Sequence, residues 1–380
     1  MEFSGIDDLC QMANRRLPRL FRDYVNGGAH GEVTVRANRQ AFLDWKIIPR
    51  CLRDVSQVDI GSTWLGRSRG APFMLGPVGF AGMMHAGGDV MAAQAAARAG
   101  IPLAVSTFSI ASMEKLSRVP GVDLLAQIYV FRDRDLTRDM LRRAHACGID
   151  GIILTVDTAI TPMRARDVRN GFRRMTRPSV AQLLSMAGRP GWSLRMLMAG
   201  KARIGNLAPY GMGRNLLEEA RNAAAEIDPS LTWQDLAWLR KEWGGRLIVK
   251  GVMDAADARQ CVDNGADALI VSNHGGRQMD PSPATLSVLP EIVEAVGDRC
   301  EVVLDSGVRQ GGDIVTALAL GASGVALGRP WAWALAAGGR KGMDALTTGL
   351  SGEVRDVMGL AGVRNMAELV AQRKQVLRRA

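Results

Sequence analysis

The fold is decided by one stretch, Ala268-Leu269-Ile270-Val271-Ser272-Asn273-His274-Gly275-Gly276-Arg277. The apolar run at its start is typical of a buried parallel strand, so polar residues leave the end of a strand together. Glycines there let the backbone approach a ligand, His274 can take a proton near neutral pH, and Arg277 suits a carboxylate. The stretch therefore predicts an acid substrate that loses a proton. The alternative is a glycine-rich turn with an incidental histidine.

The same alternation continues in both directions along the chain. Eight strand-like runs occur, with a helix-like pattern between most neighbours: Phe73–Pro77, Ile101–Ser106, Leu124–Val130, Ile152–Val156, Leu247–Lys250, Ala268–Val271, Val302–Asp305 and Val325–Leu327. This pattern predicts an α/β fold, a (β/α)8 TIM barrel, with a doubly wound open sheet as the structural alternative. We expect residues 1–380 to form a single domain.

The two ends of the chain carry helical patterns outside this alternation. Residues 4–27 predict an N-terminal helical segment, with Ser4 as the candidate cap and Pro18 dividing it. Residues Trp45–Ile48 predict an edge ribbon, and the region from Trp331 to Ala380 is predicted to be wholly helical.

A long insertion follows the fourth strand, and residues 173–214 within it are basic and apolar. An excursion of this length from a barrel is usually functional or disordered. Arginine interleaved with Trp, Leu and Met is typical of a segment on an anionic membrane, so we expect peripheral membrane contact through residues 173–203. A helical lid packed on the barrel fits the composition equally well.

Composition limits the class of protein. The chain has 380 residues, 47% of them hydrophobic and 23% charged, with a net charge of +10. It has no apolar run of 18 residues and no signal-peptide pattern, so we expect no transmembrane helix and a cytoplasmic location. Five scattered cysteines indicate reduced thiols and no metal site. The low aromatic content, 5%, and the absence of a nucleic-acid motif predict no nucleic-acid partner.

Other strand ends carry chemistry as well. Gln127 and Tyr129 share one face of a strand, as do Thr155 and Asp157 on the next. Asp157 is therefore placed to pair with His274 and hold its tautomer. Lys250 ends the fifth strand, where its charge must be paired.

The last two strands are followed by glycines and arginines. Asp305, Gly307 and Arg309 follow the seventh strand, and Gly328 and Arg329 follow the eighth. Barrels often bind phosphate at this place with backbone N–H groups. These residues predict a phosphorylated ligand, with surface arginines beside glycine turns as the alternative.

The chain resembles the FMN-dependent L-2-hydroxy acid oxidase/dehydrogenase family, within which it is most similar to bacterial membrane-associated L-lactate and mandelate dehydrogenases. The resemblance extends from about Asp23 to Ala336 and is carried by these fragments: Ser-Asn-His-Gly-Gly-Arg-Gln at 272–278, Gln127-Ile128-Tyr129-Val130, Thr155-Val156-Asp157, Val249-Lys250-Gly251 and Asp305-Ser306-Gly307.

The resemblance implies a role for each site residue. His274 is the catalytic base, Asp157 stabilises its imidazolium, and Tyr129 binds the substrate hydroxyl. Tyr24, Arg164 and Arg277 bind the substrate carboxylate, and Phe108 lies in the pocket wall. The implied FMN site comprises Pro77, Val78, Gly79, Ser106, Gln127, Thr155, Lys250 at the flavin N1–O2 edge, Asp305 at the ribityl chain, and Gly307, Arg309, Gly328 and Arg329 at the phosphate.

The implied reaction converts an L-2-hydroxy acid to the 2-keto acid. L-lactate is the first candidate, with L-mandelate or another aromatic hydroxy acid next. Gly79 stands where the oxidases usually carry Ala, which implies a dehydrogenase that passes electrons to a membrane quinone. The alternatives are an oxidase that forms H2O2 and a non-catalytic flavin-binding protein. The resemblance also implies a homotetramer and attachment to the inner face of the cell membrane.

Overall fold

The computed structural model describes residues 1–171 and 179–380. Its strands are β1 Trp45–Ile47, β2 Ser62–Trp64, β3 Arg67–Arg69, β4 Phe73–Leu75, β5 Pro102–Val105, β6 Asp123–Ile128, β7 Gly151–Thr155, β8 Arg246–Val252, β9 Ala268–Val271, β10 Glu301–Asp305, β11 Gly324–Leu327 and β12 Leu377–Arg379.

Its helices are α1 Ile6–Arg16, α2 Arg19–Asn26, α3 Val33–Leu43, α4 Ala81–Met84, α5 Gly88–Ala99, α6 Met113–Leu116, α7 Arg134–Ala146, α8 Ala165–Asn170, α9 Val180–Ala187, α10 Pro190–Ala199, α11 Leu216–Glu226, α12 Trp233–Glu242, α13 Ala255–Asp263, α14 Thr285–Val296, α15 Gly311–Ala319, α16 Arg329–Gly338, α17 Arg340–Leu360, α18 Met366–Ala371 and α19 Arg373–Val376.

Strands β4 to β11 form a closed barrel of eight strands in chain order, and neighbouring strands are parallel. Alternate side chains point inward and form a separate apolar cluster that includes Ile153, Ile248 and Ile270. Trp64 belongs to this cluster and fits against Gly324, where a Cβ atom would lie 2.9 Å from the indole. The prediction of a TIM barrel is confirmed, and the open sheet is excluded.

Two predictions about the chain ends are wrong. Helix α1 begins at Ile6 with Gly5 as its N-cap and no side-chain capping bond, so Ser4 does not cap it. The C-terminal region is not wholly helical, because β12 pairs antiparallel with β1. Leu377-Arg378-Arg379 carries no strand pattern of its own, and its partner β1 lies far away in the sequence. The predicted edge ribbon and the division at Pro18 are both observed.

The insertion between β7 and β8 contains α8 to α12. Trp192 of α10 is buried, stacks at 5.3 Å on Phe21 of α2, and donates its indole N–H to the carbonyl oxygen of Met83 at 2.9 Å. Other apolar side chains of α9 and α10 are exposed: Val180, Leu183, Leu184, Leu194, Leu197 and Met198. The segment therefore packs on the barrel and also exposes apolar surface. Residues 173–178 of the predicted membrane segment lie outside the described residues.

Among residues 1–171 and 179–380, none of the helices is both long and apolar enough to cross a membrane.

Candidate active site

Two adjoining cavities open at the C-terminal ends of the barrel strands, with volumes of about 110 and 410 Å³. Six residues line both of them: Tyr24, Pro77, Gly79, Lys250, His274 and Arg277. The smaller cavity is bordered by the glycines and arginines after β10 and β11, and the larger one by the polar ends of β5 to β7. Every predicted site residue except Asp157 lines one of the two cavities.

Asp157 lies behind His274 rather than in the cavity wall. The imidazole Nδ1 is 3.0 Å from Asp157 Oδ1 and 3.2 Å from Oδ2. A carboxylate only accepts, so this contact places the proton on Nδ1 and leaves Nε2 as the basic nitrogen. Gly251 makes room for the carboxylate, since it has a φ of +112° and a Cβ atom there would lie 2.8 Å from Asp157 Cβ.

The pKa values of this pair favour a neutral base facing an ionised partner. Burial lowers the pKa of His274 below its ordinary value, with Lys250 and Arg164 adding to the effect, while Asp157 opposes it. Burial alone would raise the pKa of Asp157, but the charge and hydrogen bond of His274 bring it below its ordinary value. His274 is therefore available to accept a proton at neutral pH.

Ser272 connects the base to the buried lysine. Its hydroxyl accepts hydrogen bonds from Lys250 Nζ at 3.0 Å and from the backbone N–H of His274 at 3.1 Å, and donates to Asp305 Oδ2 at 2.7 Å. Lys250 also forms an ion pair with Asp305 at 3.3 Å. Sequence reasoning did not assign Ser272 a role, although its place directly after β9 was a signal.

Two half-buried guanidinium groups line the larger cavity together with His274. Arg277 Nη1 donates to the carbonyl oxygen of Gly27 at 2.9 Å, and its guanidinium lies 4.8 Å from the ring centre of Tyr24. Arg164 donates to the Gln278 side-chain oxygen at 3.1 Å. Burial lowers the pKa of Arg164 to about 10, and the charge of Arg277 adds to this effect. Among the described residues, neither guanidinium has a carboxylate within ion-pair distance, so the pair is suited to an incoming carboxylate.

Gln278 is a further residue that sequence reasoning missed. Its amide nitrogen donates to the carbonyl oxygens of Asp157 at 2.6 Å and Ile160 at 3.2 Å, while its oxygen accepts from Arg164. One side chain therefore fixes the loop that carries Asp157 relative to Arg164. The signal was its position next to Arg277 in the decisive stretch.

Four aromatic side chains, the aromatic wall, line one side of the larger cavity: Tyr24, Phe80, Phe108 and Tyr129. Their neighbouring ring centres are 5.6, 6.0 and 5.8 Å apart in that order. Burial raises the pKa of Tyr129, which keeps its hydroxyl protonated and able to donate. Phe80 was not predicted, because a single phenylalanine after a strand carries no distinctive pattern.

The insertion supplies another part of the lining through α11. Leu217, Ala220, Arg221 and Ala224 lie at helical spacing and face the larger cavity. Residues on both sides of this helix hold it in place. Buried Glu219 binds Arg203, and the N–H of Asp228 bonds to the carbonyl oxygen of Val130 at 3.0 Å. Sequence reasoning did not place α11 at the site, because its alanines are typical of any helix.

Arg309 and Arg329 both line the smaller cavity. Burial lowers the pKa of Arg309 to about 10 and that of Arg329 to about 9. Neither forms an ion pair with a carboxylate in the described part of the chain, and α16 begins at Arg329 with Gly328 as its N-cap and no side-chain capping bond. Buried cations beside free backbone N–H groups are an anion site.

The family model for FMN-dependent dehydrogenases matches residues 13–377. The chain belongs to the FMN-dependent dehydrogenase family. An L-lactate dehydrogenase from a Caulobacter species is 41% identical over 97% of both chains. An L-lactate dehydrogenase from Pseudomonas syringae is 38% identical over 98% of both chains.

Solved structures agree with this assignment. The monotopic membrane protein (S)-mandelate dehydrogenase has a TM-score of 0.95 and 35% identity, and the match covers 100% of both chains. A soluble mutant of the membrane-associated (S)-mandelate dehydrogenase from Pseudomonas putida has a TM-score of 0.82 and 34% identity, with 99% of both chains covered. The chain is therefore an FMN-dependent dehydrogenase, as expected from its resemblance to the family.

The residues present fit FMN, the cofactor of the family. The anion site formed by Arg309, Arg329 and the start of α16 suits the phosphate, because its two cations form no ion pair with any carboxylate of the residues described. Gly307 has a φ of +86°, and a Cβ atom there would lie 2.3 Å from the carbonyl oxygen of Asn38, so the loop requires glycine. The shared part of the two cavities then leads from this site to His274 and Lys250.

Proposed function

We propose that this FMN-dependent dehydrogenase oxidises an L-2-hydroxy acid to the 2-keto acid, with L-lactate as the first candidate and L-mandelate as the second. The observation that carries the proposal is that His274, supported from behind by Asp157, lines the same cavity as Arg164 and Arg277. A base and two cations that form no ion pair with any described residue match a substrate that has a carboxylate and loses a proton. The names of the lactate and mandelate dehydrogenases to which the chain is similar support the same substrate class.

In this proposal each side chain has one task. Arg164 and Arg277 bind the carboxylate together with Tyr24, and Tyr129 donates a hydrogen bond to the substrate hydroxyl. His274 Nε2 accepts the substrate proton, and Asp157 stabilises the imidazolium that forms. Ser272 holds the backbone of His274 and the ammonium of Lys250 in fixed positions.

When bound, FMN supplies the electron acceptor for the two electrons that leave the substrate. We propose that its phosphate is bound by Gly307, Arg309, Gly328 and Arg329, and its ribityl chain by Asp305. The remaining contacts are proposed at the flavin ring: Pro77, Val78, Gly79, Ser106, Gln127, Thr155 and Lys250, the last placing a positive charge beside it.

An anaerobic visible titration tests the proposed reaction. L-lactate and L-mandelate are added in turn to the purified holoenzyme, and loss of the flavin absorption is recorded. Bleaching by either acid supports the proposal and ranks the two substrates. A flavin that neither acid bleaches, or a His274→Ala variant that is bleached as fast as the wild type, would contradict it.

For the electron acceptor we propose a membrane quinone. The support is the resemblance to membrane-associated dehydrogenases and the presence of Gly79, where a Cβ atom would lie 3.1 Å from Phe108 Cβ. The test compares reduction of a soluble quinone with H2O2 release during turnover. Peroxide formed in step with substrate oxidation would instead identify an oxidase.

We also propose peripheral attachment to the inner face of the cell membrane. Val180, Leu184, Leu197 and Met198 expose between 68% and 79% of their surface on α9 and α10. Helix α9 is tied to α2 through the Ser185 hydroxyl, which accepts from the N–H of Arg19 at 3.0 Å. A basic cavity adjoins this contact and contains four arginines and two carboxylates: Arg19, Arg22, Arg166, Arg169, Asp23 and Glu32. Apolar side chains beside excess positive charge suit an anionic membrane surface.

Vesicle flotation tests the attachment. We expect the wild type to bind vesicles that contain phosphatidylglycerol and the Leu184→Ser/Leu197→Ser variant to lose binding. The matched control is Leu360→Ser/Val370→Ser, which replaces exposed apolar residues outside the insertion. Equal binding by the two double variants would contradict the assignment to α9 and α10.

We further propose a homotetramer from the family resemblance, and sedimentation velocity tests it.

A further inference from the structure

Asp89 is a buried carboxylate that the proposed chemistry does not use. It lies in the first turn of α5 and is only 5% exposed. Within the described residues, no basic side chain forms an ion pair with it, and burial raises its pKa to about 6. An unpaired carboxylate in such a place is costly unless hydrogen bonds satisfy it. Its hydrogen-bond partners therefore indicate what it does.

The partners of Asp89 belong to two loops at the barrel mouth. The first wall loop comprises residues 76–84 after β4, and the second wall loop comprises residues 106–112 after β5. Asp89 Oδ2 accepts from the backbone N–H of Ala111 at 3.3 Å, and the carboxylate also accepts from the Ser109 side chain and the Gly82 backbone. One side chain thus connects both loops.

The two loops meet closely at this point. A Cβ atom on Gly82 would lie 2.6 Å from Ile110 Cβ and 2.9 Å from Asp89 Oδ2, so no larger residue fits between them. The residues in this contact are close in sequence to the cavity lining. Gly82 is two residues from Phe80, and Ile110 is two residues from Phe108. Loss of the Asp89 carboxylate is therefore expected to shift the backbone at Gly82 and Ile110 and, through it, Phe80 and Phe108.

Phe80 and Phe108 are the two central members of the aromatic wall. The backbone N–H of Phe80 donates to the carbonyl oxygen of Phe108 at 3.0 Å, and the ring centres are 6.0 Å apart. Both side chains line the larger cavity beside Tyr24 and Tyr129. The spacing of these two rings determines the shape of the apolar side of the substrate site.

We propose that Asp89 is a positioning residue that fixes Phe80 relative to Phe108 and thereby sets how well the enzyme accepts a bulky apolar substituent at the substrate C2 atom. The proposal rests on the proposed function, because it concerns the side chain of a 2-hydroxy acid. A methyl substituent needs little beyond the base and the two arginines. An aryl substituent must also fit the aromatic wall, so its binding depends on the spacing of the rings.

The test compares two substrates in Asp89 variants. Asp89→Ala removes all the hydrogen bonds, and Asp89→Asn keeps an acceptor oxygen of the same size. The matched control is Asp267→Ala, because Asp267 also binds a backbone N–H, that of Leu247, but lies before β9 at the opposite end of the barrel. The kcat/KM for anaerobic flavin reduction is measured with L-lactate and L-mandelate.

We expect Asp89→Ala to lower the mandelate-to-lactate ratio of kcat/KM by about 10-fold, the lower range of discrimination by an apolar pocket. Asp89→Asn should restore most of the ratio, and Asp267→Ala should leave it unchanged. An unchanged ratio in folded Asp89→Ala overturns the proposal. If that variant does not fold, Ser109→Ala removes one of the bonds and must shift the ratio in the same direction.

A second readout does not depend on turnover. Calorimetry gives the affinities of pyruvate and benzoylformate, the keto acids from lactate and mandelate, for the oxidised holoenzyme. We expect Asp89→Ala to weaken the binding of benzoylformate more than the binding of pyruvate. If neither L-lactate nor L-mandelate reduces the flavin of the wild-type enzyme, the proposed function is contradicted. If Asp89→Ala weakens the binding of both keto acids equally, only the proposed role of Asp89 is contradicted, and the proposed function is not.

Discussion

Asp157 supports His274 from behind, with its carboxylate 3.0 Å from Nδ1 and outside the lining of both cavities. The two residues come from loops 117 positions apart, and in the proposed reaction they divide the work of one acid–base group. His274 presents its free nitrogen to the cavity, while Asp157 sets its tautomer and its charge.

Asp157→Asn tests this division through the pH profile. The carboxylate raises the pKa of His274 against the effect of burial. Its loss should therefore lower that pKa and move the acidic limb of kcat/KM to lower pH. We also expect kcat to fall by about 100-fold or more, because the imidazolium loses its partner. Anaerobic stopped-flow reduction between pH 5 and 9 measures both effects. Asp267→Asn serves as the control, and an acidic limb that moves upward would refute the assignment.

Arg164→Met tests the carboxylate site. Met keeps much of the side-chain length but removes the charge and the donors. We expect KM for L-lactate to rise by about 10- to 100-fold, which corresponds to the free energy lost with one charge-assisted hydrogen bond. Arg299→Met, which removes an exposed arginine paired with Asp263, should leave KM unchanged. A change in kcat alone would place Arg164 outside the carboxylate site.

Arg329→Met tests the phosphate site, because the substitution should affect the holoenzyme more than the apoprotein. In the holoenzyme the substitution should weaken FMN binding by at least about 10-fold, because a buried charge-assisted contact is lost. In the apoprotein it should change the melting temperature less than in the holoenzyme, because there only the hydrogen bonds of Arg329 to the carbonyl oxygens of Val25, Gly27 and Gly275 are lost. Flavin fluorescence titration and thermal melts of both forms provide the measurements. Destabilisation of the apoprotein and holoenzyme by equal amounts would indicate a purely structural role.

Asp89→Asn tests a pH dependence of stability. Burial raises the pKa of Asp89 to about 6 in the folded chain, above the ordinary value of 3.8. The folded state therefore binds this proton more tightly, and the associated stability is present below pH 4 and lost as the pH rises through 6. The variant cannot ionise, so its stability should fall less than that of the wild type between pH 4 and 7. Urea unfolding across this range measures the difference in slope, and parallel curves would contradict the prediction.

Much of the barrel was predictable because each strand carries its own signal. Runs such as Ile152–Val156 and Ala268–Val271 are continuously apolar, and the polar residues that follow them mark the C-terminal edge. The placement of His274, Arg277, Lys250 and Arg329 around one opening follows from the barrel geometry once the strands are assigned.

The rest was not predictable, because it depends on contacts between distant residues. Strand β12 forms only because β1 offers it an edge. Ser272 and Gln278 gain their roles from partners on other strands and loops, and a serine or glutamine alone is uninformative. The alanines of α11 line the cavity because buried Glu219 and the bond from Asp228 to Val130 hold the helix there. None of these contacts has a periodic pattern in the sequence.

The hydrogen bond from Trp192 to Met83 has an evolutionary consequence. Helix α10 carries the exposed apolar side chains, yet its tryptophan is bonded to the first wall loop, four residues from Gly79. A lineage that lost this helix would leave the apolar surface of Phe21 uncovered and the carbonyl oxygen of Met83 without its Trp192 donor. Compensating changes near Phe80 would then be selected together with the loss. The exposed apolar face of α10 and the loop that carries Phe80 are thus structurally coupled, and the two are expected to change together during evolution.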